Sequence, residues 1–292
     1  MMESNNKSNL DAMSTLEILK NINEEDKKIA MAIEKELINI EKAVEIIVKS
    51  FEEGGRLFYI GSGTSGKLGV MDASECPPTF GVSDSMVQGI ISGGVEALSG
   101  WLEHTEDEPE LAVHDLKGVS INKNDVLVGI TASGNTPYVV RAMEYAKEIG
   151  CKTVALICNP KGKLKEICEV TIAVQVGEEV LLGSTRMKAG TAQKMVLNML
   201  STVAMVRIGK TYRNLMVNVR PINKKLQQRV REIVKLATGE KDSLINETLE
   251  ICEYNPKVSI IKIKKGVSVE KAKEALEESK GSVAEALKIL NY

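Results

Sequence analysis

Short apolar runs that end in loops rich in glycine and serine alternate with helical stretches through the first two thirds of this chain. The runs are typical of buried strands, and they cover residues 57–60, 86–91, 125–130, 153–157 and 170–176. The helical stretches between them are 66–73, 95–104, 137–149 and 191–208. This alternation predicts an α/β fold, a doubly wound parallel sheet. Ligands bind such sheets at the carboxyl ends of the strands, where the loops lie.

Both ends of the chain differ from this pattern. Residues 1–50 predict an N-terminal helical arm, in which Ser14 and Glu17 have the spacing of a capping box. Residues 223–292 predict a small helical C-terminal module, similar in outline to ubiquitin-associated domains, with a strand at 258–263. The segment 51–222 between them is the predicted sheet domain, which contains the strand-to-helix loops.

Composition excludes several classes of function. The net charge is −2 and no polybasic tract occurs, so neither nucleic acid nor a membrane surface is an expected partner. No apolar run approaches the roughly 20 residues that cross a bilayer, and residues 1–11 are polar, without the apolar stretch expected of a signal peptide. Five cysteines without CxxC spacing favour free thiols in the cytoplasm. The two histidines give no zinc or haem signature, so no metal is expected.

The loop 61–66 reads Gly-Ser-Gly-Thr-Ser-Gly and directly follows the first predicted strand. Its glycines allow a close backbone approach, and the amides of a following helix would face an anion. Ser62, Gly63, Thr64 and Ser65 are therefore candidate phosphate-binding residues. The same letters also fit a dinucleotide-binding turn, or a plain glycine-rich turn. The density of hydroxyl groups favours a phosphomonoester.

A second hydroxyl-rich loop follows the strand at 125–130. Ser133, Gly134, Asn135 and Thr136 precede a proline that suits the first turn of a helix. Such residues could act as an ordinary helix cap. Two loops of this kind in one sheet favour a shared phosphate site instead.

Acidic residues provide candidates for proton transfer. Pro77 predicts a helix end close to Glu75, where the helix dipole disfavours a charged carboxylate and so suits a proton donor. From composition alone, a solvated surface glutamate is the simpler explanation of Glu75. The cluster 106–110 is also typical of a solvated face, and nothing in its composition selects one carboxylate.

Two cations stand among hydroxyls and glycines at 183–191. Ser184 and Lys188 are candidate ligands of an anionic substrate, although the cations could equally pair with acidic neighbours.

Taken together, several strings resemble one known family. The loops 61–66 and 133–138 resemble those of sugar isomerase (SIS) domains. The strings DASECPPTFG at 72–81, ASGNTPYV at 132–139 and GSTRMKAGTAQK at 183–194 resemble the N-acetylmuramic acid 6-phosphate etherases. The resemblance is collinear from Ser14 to Gly239.

The resemblance implies a reaction and its catalytic residues. Members of the family remove D-lactate from N-acetylmuramic acid 6-phosphate by elimination and hydration, giving N-acetylglucosamine 6-phosphate during breakdown of cell-wall amino sugars. By motif match, Glu75 is the acid that protonates departing lactate and Glu106 is the base at the second sugar carbon. No cofactor is implied, and the expected assembly is a homodimer.

Two positions depart from the family, which usually carries arginine where Asn135 and Lys67 stand. The first change removes a cation from a predicted phosphate loop, and the second loses the planar guanidinium fork. Three alternatives share the domain type: a regulator that binds sugar phosphate without catalysis, as glucokinase regulatory protein does, a sugar-phosphate isomerase and a transcription regulator. The chain has sequence for one SIS domain, and residues 1–50 show no basic recognition face.

Overall fold

A computed structural model of the protein describes residues 9–100, 103–219, 221 and 223–291. Five strands form one sheet: β1 (Leu57–Gly61), β2 (Val87–Ile91), β3 (Val126–Thr131), β4 (Lys152–Ile157) and β5 (Val170–Ala173). The helices before β5 are α1 (Thr15–Asp26), α2 (Lys28–Glu34), α3 (Leu37–Glu52), α4 (Gly63–Phe80), α5 (Glu96–Ser99), α6 (Pro109–Gly118), α7 (Pro137–Glu148) and α8 (Leu164–Ile167). Those after it are α9 (Lys188–Arg207), α10 (Lys224–Thr238), α11 (Asp242–Ile251), α12 (Pro256–Lys265), α13 (Val269–Glu278) and α14 (Val283–Ile289).

The sheet has the strand order β2-β1-β3-β4-β5, and every neighbouring pair is parallel. The predicted doubly wound parallel sheet is therefore confirmed. From β1 the chain moves outward to β2 and then returns to β3 on the other side of β1. The strand order thus reverses between β1 and β3, and ligands of such sheets bind at the carboxyl ends beside this reversal.

Helices cover both faces of the sheet because its central strands are apolar on both faces. Tyr59 of β1 packs into the core on the side of α3, α4 and α9, whereas Phe58 packs on the side of α6 and α7. Successive side chains of a strand point to opposite faces, so one apolar run serves both cores. Burying each large side chain contributes roughly 1.5–3 kcal/mol.

The N-terminal arm consists of three helices. Helices α2 and α3 pack on α9, α3 also packs on the sheet, and α1 packs on α2. The predicted capping box is confirmed, because the side chain of Ser14 accepts a hydrogen bond from the Glu17 amide and Glu17 binds the Ser14 amide in return. In α3, Ile40, Val44 and Ile47 face the core at helical spacing.

The C-terminal module has its own apolar core, drawn from α10 to α14 and from the connector that contains Tyr212 and Val217. The predicted strand at 258–263 is wrong, since these residues lie in helix α12. The side chain of Asn255 caps this helix, and Pro256 occupies its first turn, where proline is tolerated. These apolar residues lie on a buried helix. A short continuous apolar run does not distinguish a buried helix from a strand by its periodicity, and here the run was assigned to a strand.

Two predicted helices differ from the structure, one in its extent and one in its existence as a single helix. The helix predicted at 66–73 spans Gly63–Phe80 and includes Pro77 and Pro78, which remove donors only close to its end at Gly81. Glu75 therefore lies inside the helix, one turn before that end. The helix predicted at 95–104 is wrong, because α5 stops at Ser99 before Gly100 and a 3-10 helix covers Glu103–Asp107. Residues 101 and 102 of that prediction lie outside the described residues.

All five cysteines are free thiols, and none is fully exposed. Within the described part of the chain, no helix is both long and apolar enough to cross a membrane.

Candidate functional site

A cavity of about 430 Å³ opens at the carboxyl ends of β1 and β2. Five of the predicted site residues line it together, namely Ser62, Gly63, Thr64, Glu106 and Ser184. Its other lining residues are Lys67, Ser92, Ala97, Gly100, Gly183, Thr185 and Arg186. Four separate segments of the chain thus meet at the carboxyl ends of the strands.

The turn between β1 and α4 forms one wall of this cavity. A Cβ atom on Gly66 would lie 2.6 Å from the carbonyl oxygen of Gly61, so the turn closes only with glycine at this position. Gly63 has a φ of +52°, a conformation that glycine adopts without strain. Gly63 and Thr64, the first residues of α4, line the cavity, and free amides at the start of a helix can donate to an anion.

The hydroxyl of Ser62 provides a further donor. Its Oγ atom is buried and has no hydrogen-bond partner among the described residues. Ser62 also stands at the N-cap position of α4, yet its side chain caps no amide. Because a buried hydroxyl without a partner is costly, this atom is best explained as a ligand contact.

The charges that line the cavity favour an anionic ligand. Lys67 and Arg186 both line it, and neither forms an ion pair with any residue that the structure describes. Among the lining residues that the structure describes, the carboxylate is that of Glu106. The described lining therefore carries two cations, which favour an anion, and a carboxylate, a group capable of proton transfer.

The start of α9 supports the β1–α4 turn from behind. Ser65 Oγ donates a hydrogen bond of 2.9 Å to Gln193 Oε1, and Gly190 lies directly against the Thr64 side chain. The hydroxyl of Ser65 thus contacts the protein rather than the cavity. A loop held in this way keeps its amides in a fixed geometry before any ligand binds.

Lys188 lies away from the cavity, although it was predicted as a substrate ligand. Its Nζ atom is buried and pairs with Glu25 of α1 at 2.7 Å. The Glu179 carboxylate accepts from the amides of Lys188 and Ala189, at 2.9 Å each, and so caps α9. Hydrogen bonds from Lys188 and Lys28 lower the pKa of Glu25. Here the lysine connects the N-terminal arm to the sheet domain.

The second predicted loop follows the adjacent strand β3 but does not line the cavity. The hydroxyls of Thr131 and Thr136 are 2.8 Å apart, and Ser133 Oγ accepts from the Asn135 amide at 3.1 Å. Asn135 Oδ1 accepts from the Lys163 amide at 2.8 Å. Gly134, with a φ of +73°, packs against the backbone of the same neighbouring loop.

Glu75 is exposed on α4, twelve residues after Gly63. At a rise of 1.5 Å per residue, the two positions are about 18 Å apart along the helix. Glu75 therefore lies outside the cavity that its own chain forms around Glu106.

Comparisons with known proteins agree with this geometry and extend it. A family model described as the glucokinase regulatory protein N-terminal SIS domain matches residues 39–147, and the SIS domain model matches residues 98–203. A curated protein from Clostridium botulinum, named N-acetylmuramic acid 6-phosphate etherase, is 54% identical over 97% of this chain and 94% of its own length. One of the same name from Vibrio atlanticus is 50% identical over 95% of this chain and 91% of its own.

The chain belongs to the N-acetylmuramic acid 6-phosphate etherase family. The fold of this etherase family member is also that of a phosphoheptose isomerase from Francisella tularensis. That structure matches with a TM-score of 0.54 and 16% identity, over 66% of this chain and all of the other. At 16% identity, the match shows the shared fold alone.

Seven cavity residues of this etherase family member were not among the predicted site residues. Lys67, Gly183, Thr185 and Arg186 lie within or beside the predicted loops, whereas Ser92, Ala97 and Gly100 do not. A signal for Ser92 was present, because Ser-Gly-Gly at 92–94 follows β2 just as the first loop follows β1. Thr105 Oγ1 donates to Ser92 Oγ at 3.1 Å and so links the segment that carries Glu106 to this loop. No cluster of three metal-ligating side chains occurs within the described ranges.

Proposed function

We propose that the protein cleaves the D-lactyl ether of N-acetylmuramic acid 6-phosphate, giving N-acetylglucosamine 6-phosphate and D-lactate. The observation that carries this proposal is the near full-length identity of 54% with a protein of that name. The cavity supports it, since it combines anion donors with the carboxylate of Glu106 at the strand ends. The product would feed the breakdown of cell-wall amino sugars.

The sugar phosphate would bind with its phosphate at the β1–α4 turn. The amides at Gly63 and Thr64, the Ser62 hydroxyl and the charge of Lys67 all serve an anion there. Ser184 and Arg186 line the same cavity from the loop before α9. The loop of Ser133, Gly134, Asn135 and Thr136 follows the neighbouring strand and would close the site beside β3. Lysine at position 67 retains the charge that the family's usual arginine supplies.

The reaction needs a base and an acid on the open-chain sugar. Glu106 would remove the proton from the second carbon, which the neighbouring aldehyde acidifies. The bond between the third carbon and the ether oxygen then breaks, and Glu75 would protonate that oxygen as D-lactate leaves. Water adds its oxygen to the third carbon of the unsaturated intermediate, and a proton returns to the second carbon. Atoms and charge balance without any redox step.

A homodimer with shared sites would bring the two carboxylates together. Glu75 lies about 18 Å along α4 from the turn that binds phosphate, further than its side chain can reach. A second copy could place its own Glu75 over the cavity that contains Glu106. Exposed apolar side chains support such an association, because Met71 precedes Glu75 by one turn and is 45% exposed.

A further apolar groove would serve the same interface. It runs between α3 and α9, has a volume of about 490 Å³, and is lined by Leu37, Met199 and Val203. We also place the protein in the cytoplasm, where its unpaired thiols would stay reduced.

The decisive experiment mixes the purified protein with N-acetylmuramic acid 6-phosphate in ¹⁸O-labelled water, with no metal added. We expect D-lactate to be released and the label to appear in the sugar product. Label in the lactate would contradict elimination and hydration. Tight binding of the substrate without lactate release would instead favour a regulator that binds sugar phosphate.

The division of roles between the two glutamates has its own test. In Glu75→Ala, lactate release should cease while the second-carbon proton of the product still exchanges with deuterated solvent, because Glu106 remains. In Glu106→Gln, both lactate release and exchange should cease. If Glu75→Ala abolishes exchange as completely as Glu106→Gln does, the proposed roles are wrong.

A further inference from the structure

A second cavity lies near the amino ends of the strands, between the sheet domain and the C-terminal module. This module crevice has a volume of about 640 Å³, within the range of small-molecule sites. It is formed by the ends of α3 and α9, the connector after α9 and the turn before α14. Because α9 has twenty residues, the crevice lies about 30 Å from the start of that helix beside the first cavity.

Cations dominate the walls of the module crevice. Arg207, Lys210, Arg213 and Lys280 line it, and none of them forms an ion pair with any residue in the described part of the chain. The acidic lining residues are Glu52 and Glu285. Glu285 is already paired with Lys288 at 2.7 Å, outside the crevice. The walls therefore carry an excess of positive charge.

Backbone strain occurs at the same place. Arg213 and Lys280 have φ values of +53° and +54°, although neither is a glycine. Side chains rarely adopt this conformation, and it tends to be retained where function requires it. Two cationic residues with strained backbone conformations, from different segments of the chain, thus line one crevice.

A further ammonium lies close by. Lys257 is partly buried and donates a hydrogen bond of 2.7 Å to the carbonyl oxygen of Gly281, in the turn that borders the crevice. Burial, and then the charge of Lys210, lower its pKa to about 8. Cations brought together in this way repel one another, and a bound anion would relieve the repulsion.

We propose that the module crevice binds a small phosphorylated molecule, at a site separate from the cavity beneath Glu106. The guanidinium of Arg207 and the ammonium of Lys210 would hold the phosphate between α9 and the module. Thr211, which also lines the crevice, offers a hydroxyl donor. Gly209 packs directly against Ser282, where an added Cβ atom would lie 3.0 Å away, so the two sides of the crevice are in contact beside the proposed phosphate position.

The test is hydrogen exchange of the full chain, read by mass spectrometry during titration with inorganic phosphate and, separately, with glycerol 3-phosphate. We expect slower exchange in residues 207–213 and 279–285 that saturates with ligand. A lower half-saturating concentration for glycerol 3-phosphate would identify an organic phosphate as the preferred ligand.

Arg207→Gln combined with Lys210→Gln should raise the half-saturating concentration about tenfold or more, because charge-assisted hydrogen bonds are lost. The charge-preserving pair Arg207→Lys and Lys210→Arg should retain binding. Lys241→Gln, at an exposed lysine of the same module outside the crevice, is the matched control. Exchange of β1 and β3 reports whether each variant is folded.

Protection confined to residues 61–67 would overturn the proposal, because phosphate would then bind only at the first cavity. Protection of the crevice that follows protein concentration rather than phosphate would overturn it as well. Equal binding by the neutral pair and by the unaltered protein would have the same meaning.

Discussion

Ser62 shows at the scale of one residue how the cavity is prepared for its ligand. Its buried hydroxyl has no partner in the described structure. Ser62→Ala should therefore leave the free energy of unfolding nearly unchanged, because no hydrogen bond within the protein is lost. The KM for the sugar phosphate should rise about tenfold, with a small change in kcat, since a bond to a charged group is lost. Steady-state kinetics and urea unfolding measure both quantities.

Ser83→Ala is the matched control for that substitution. Ser83 is exposed at the other edge of the sheet, where its hydroxyl lies 2.9 Å from that of Ser85. Its KM should equal that of the unaltered protein. A large loss of stability in Ser62→Ala would indicate that the hydroxyl serves the fold rather than the ligand.

Lys257 gives the protein a characteristic dependence on pH. Its pKa is about 8 in the folded protein, below its ordinary value of 10.5, mainly because of burial. Between these two pH values the unfolded chain binds more protons, so the contribution of Lys257 to the free energy of unfolding rises with pH. Urea unfolding at about pH 7 and about pH 10 should show a larger gain for the unaltered protein than for Lys257→Met. Equal gains would show that Lys257 does not titrate in this window.

The β1–α4 turn is the element on which the site depends most. Gly66→Ala should reduce the free energy of unfolding by about 1–3 kcal/mol, because its Cβ would meet both the Gly61 carbonyl and Ile91. Gly118→Ala, at the end of α6, is the matched control, since nothing lies within 4 Å of the added atom. Alanine there should be neutral or stabilising by up to about 1 kcal/mol. Denaturant unfolding of both variants compares the two sites.

The N-terminus of α12 offers a second prediction at this scale. The Asn255 side chain accepts hydrogen bonds from the amides of Lys257 and Val258. Asn255→Ala should therefore cost about 1 kcal/mol of stability in the module. Asn214→Ala leaves every helix start intact and is the control, because Asn214 is exposed and its side chain makes no hydrogen bond within the described structure. Equal effects of the two substitutions would show that the cap contributes nothing specific.

Elements with a clear period were predictable from the sequence, whereas elements decided by long-range packing were not. The parallel sheet and the capping box of Ser14 follow from local pattern. Helix α12 was mistaken for a strand, because Val258, Ile260 and Ile261 are buried on more than one side. At the site, sequence motifs singled out Ser62 and Glu106, and both line the cavity. The pairing of Lys188 with Glu25 joins residues 163 positions apart, and no local sequence pattern predicts it.

At the scale of the whole molecule, a shared site predicts complementation between inactive variants. Glu75→Ala and Glu106→Gln should each be inactive alone. After the two are unfolded together and refolded, half of the dimers are mixed, and each mixed dimer has one intact site. Lactate release should return to about a quarter of that of the unaltered protein.

Refolding each variant alone provides the control for that experiment. A mixture that stays inactive, while sedimentation still shows dimers, would mean that each chain builds its site from its own two carboxylates.

The burial of its native thiols makes the protein suitable for site-directed labelling with chemical probes. Burial is the main cause that raises the pKa of Cys76, Cys151, Cys158 and Cys168 to about 12 and also raises the pKa of Cys252. The thiolate is the form that reacts with maleimides, and at pH 8 a thiol with a pKa of about 12 is ionised in only about one molecule in 10⁴. A cysteine introduced at an exposed position such as Lys241 would thus take a spin label or dye selectively, with every native cysteine left in place. Distances between labels on two copies could then be measured directly in solution.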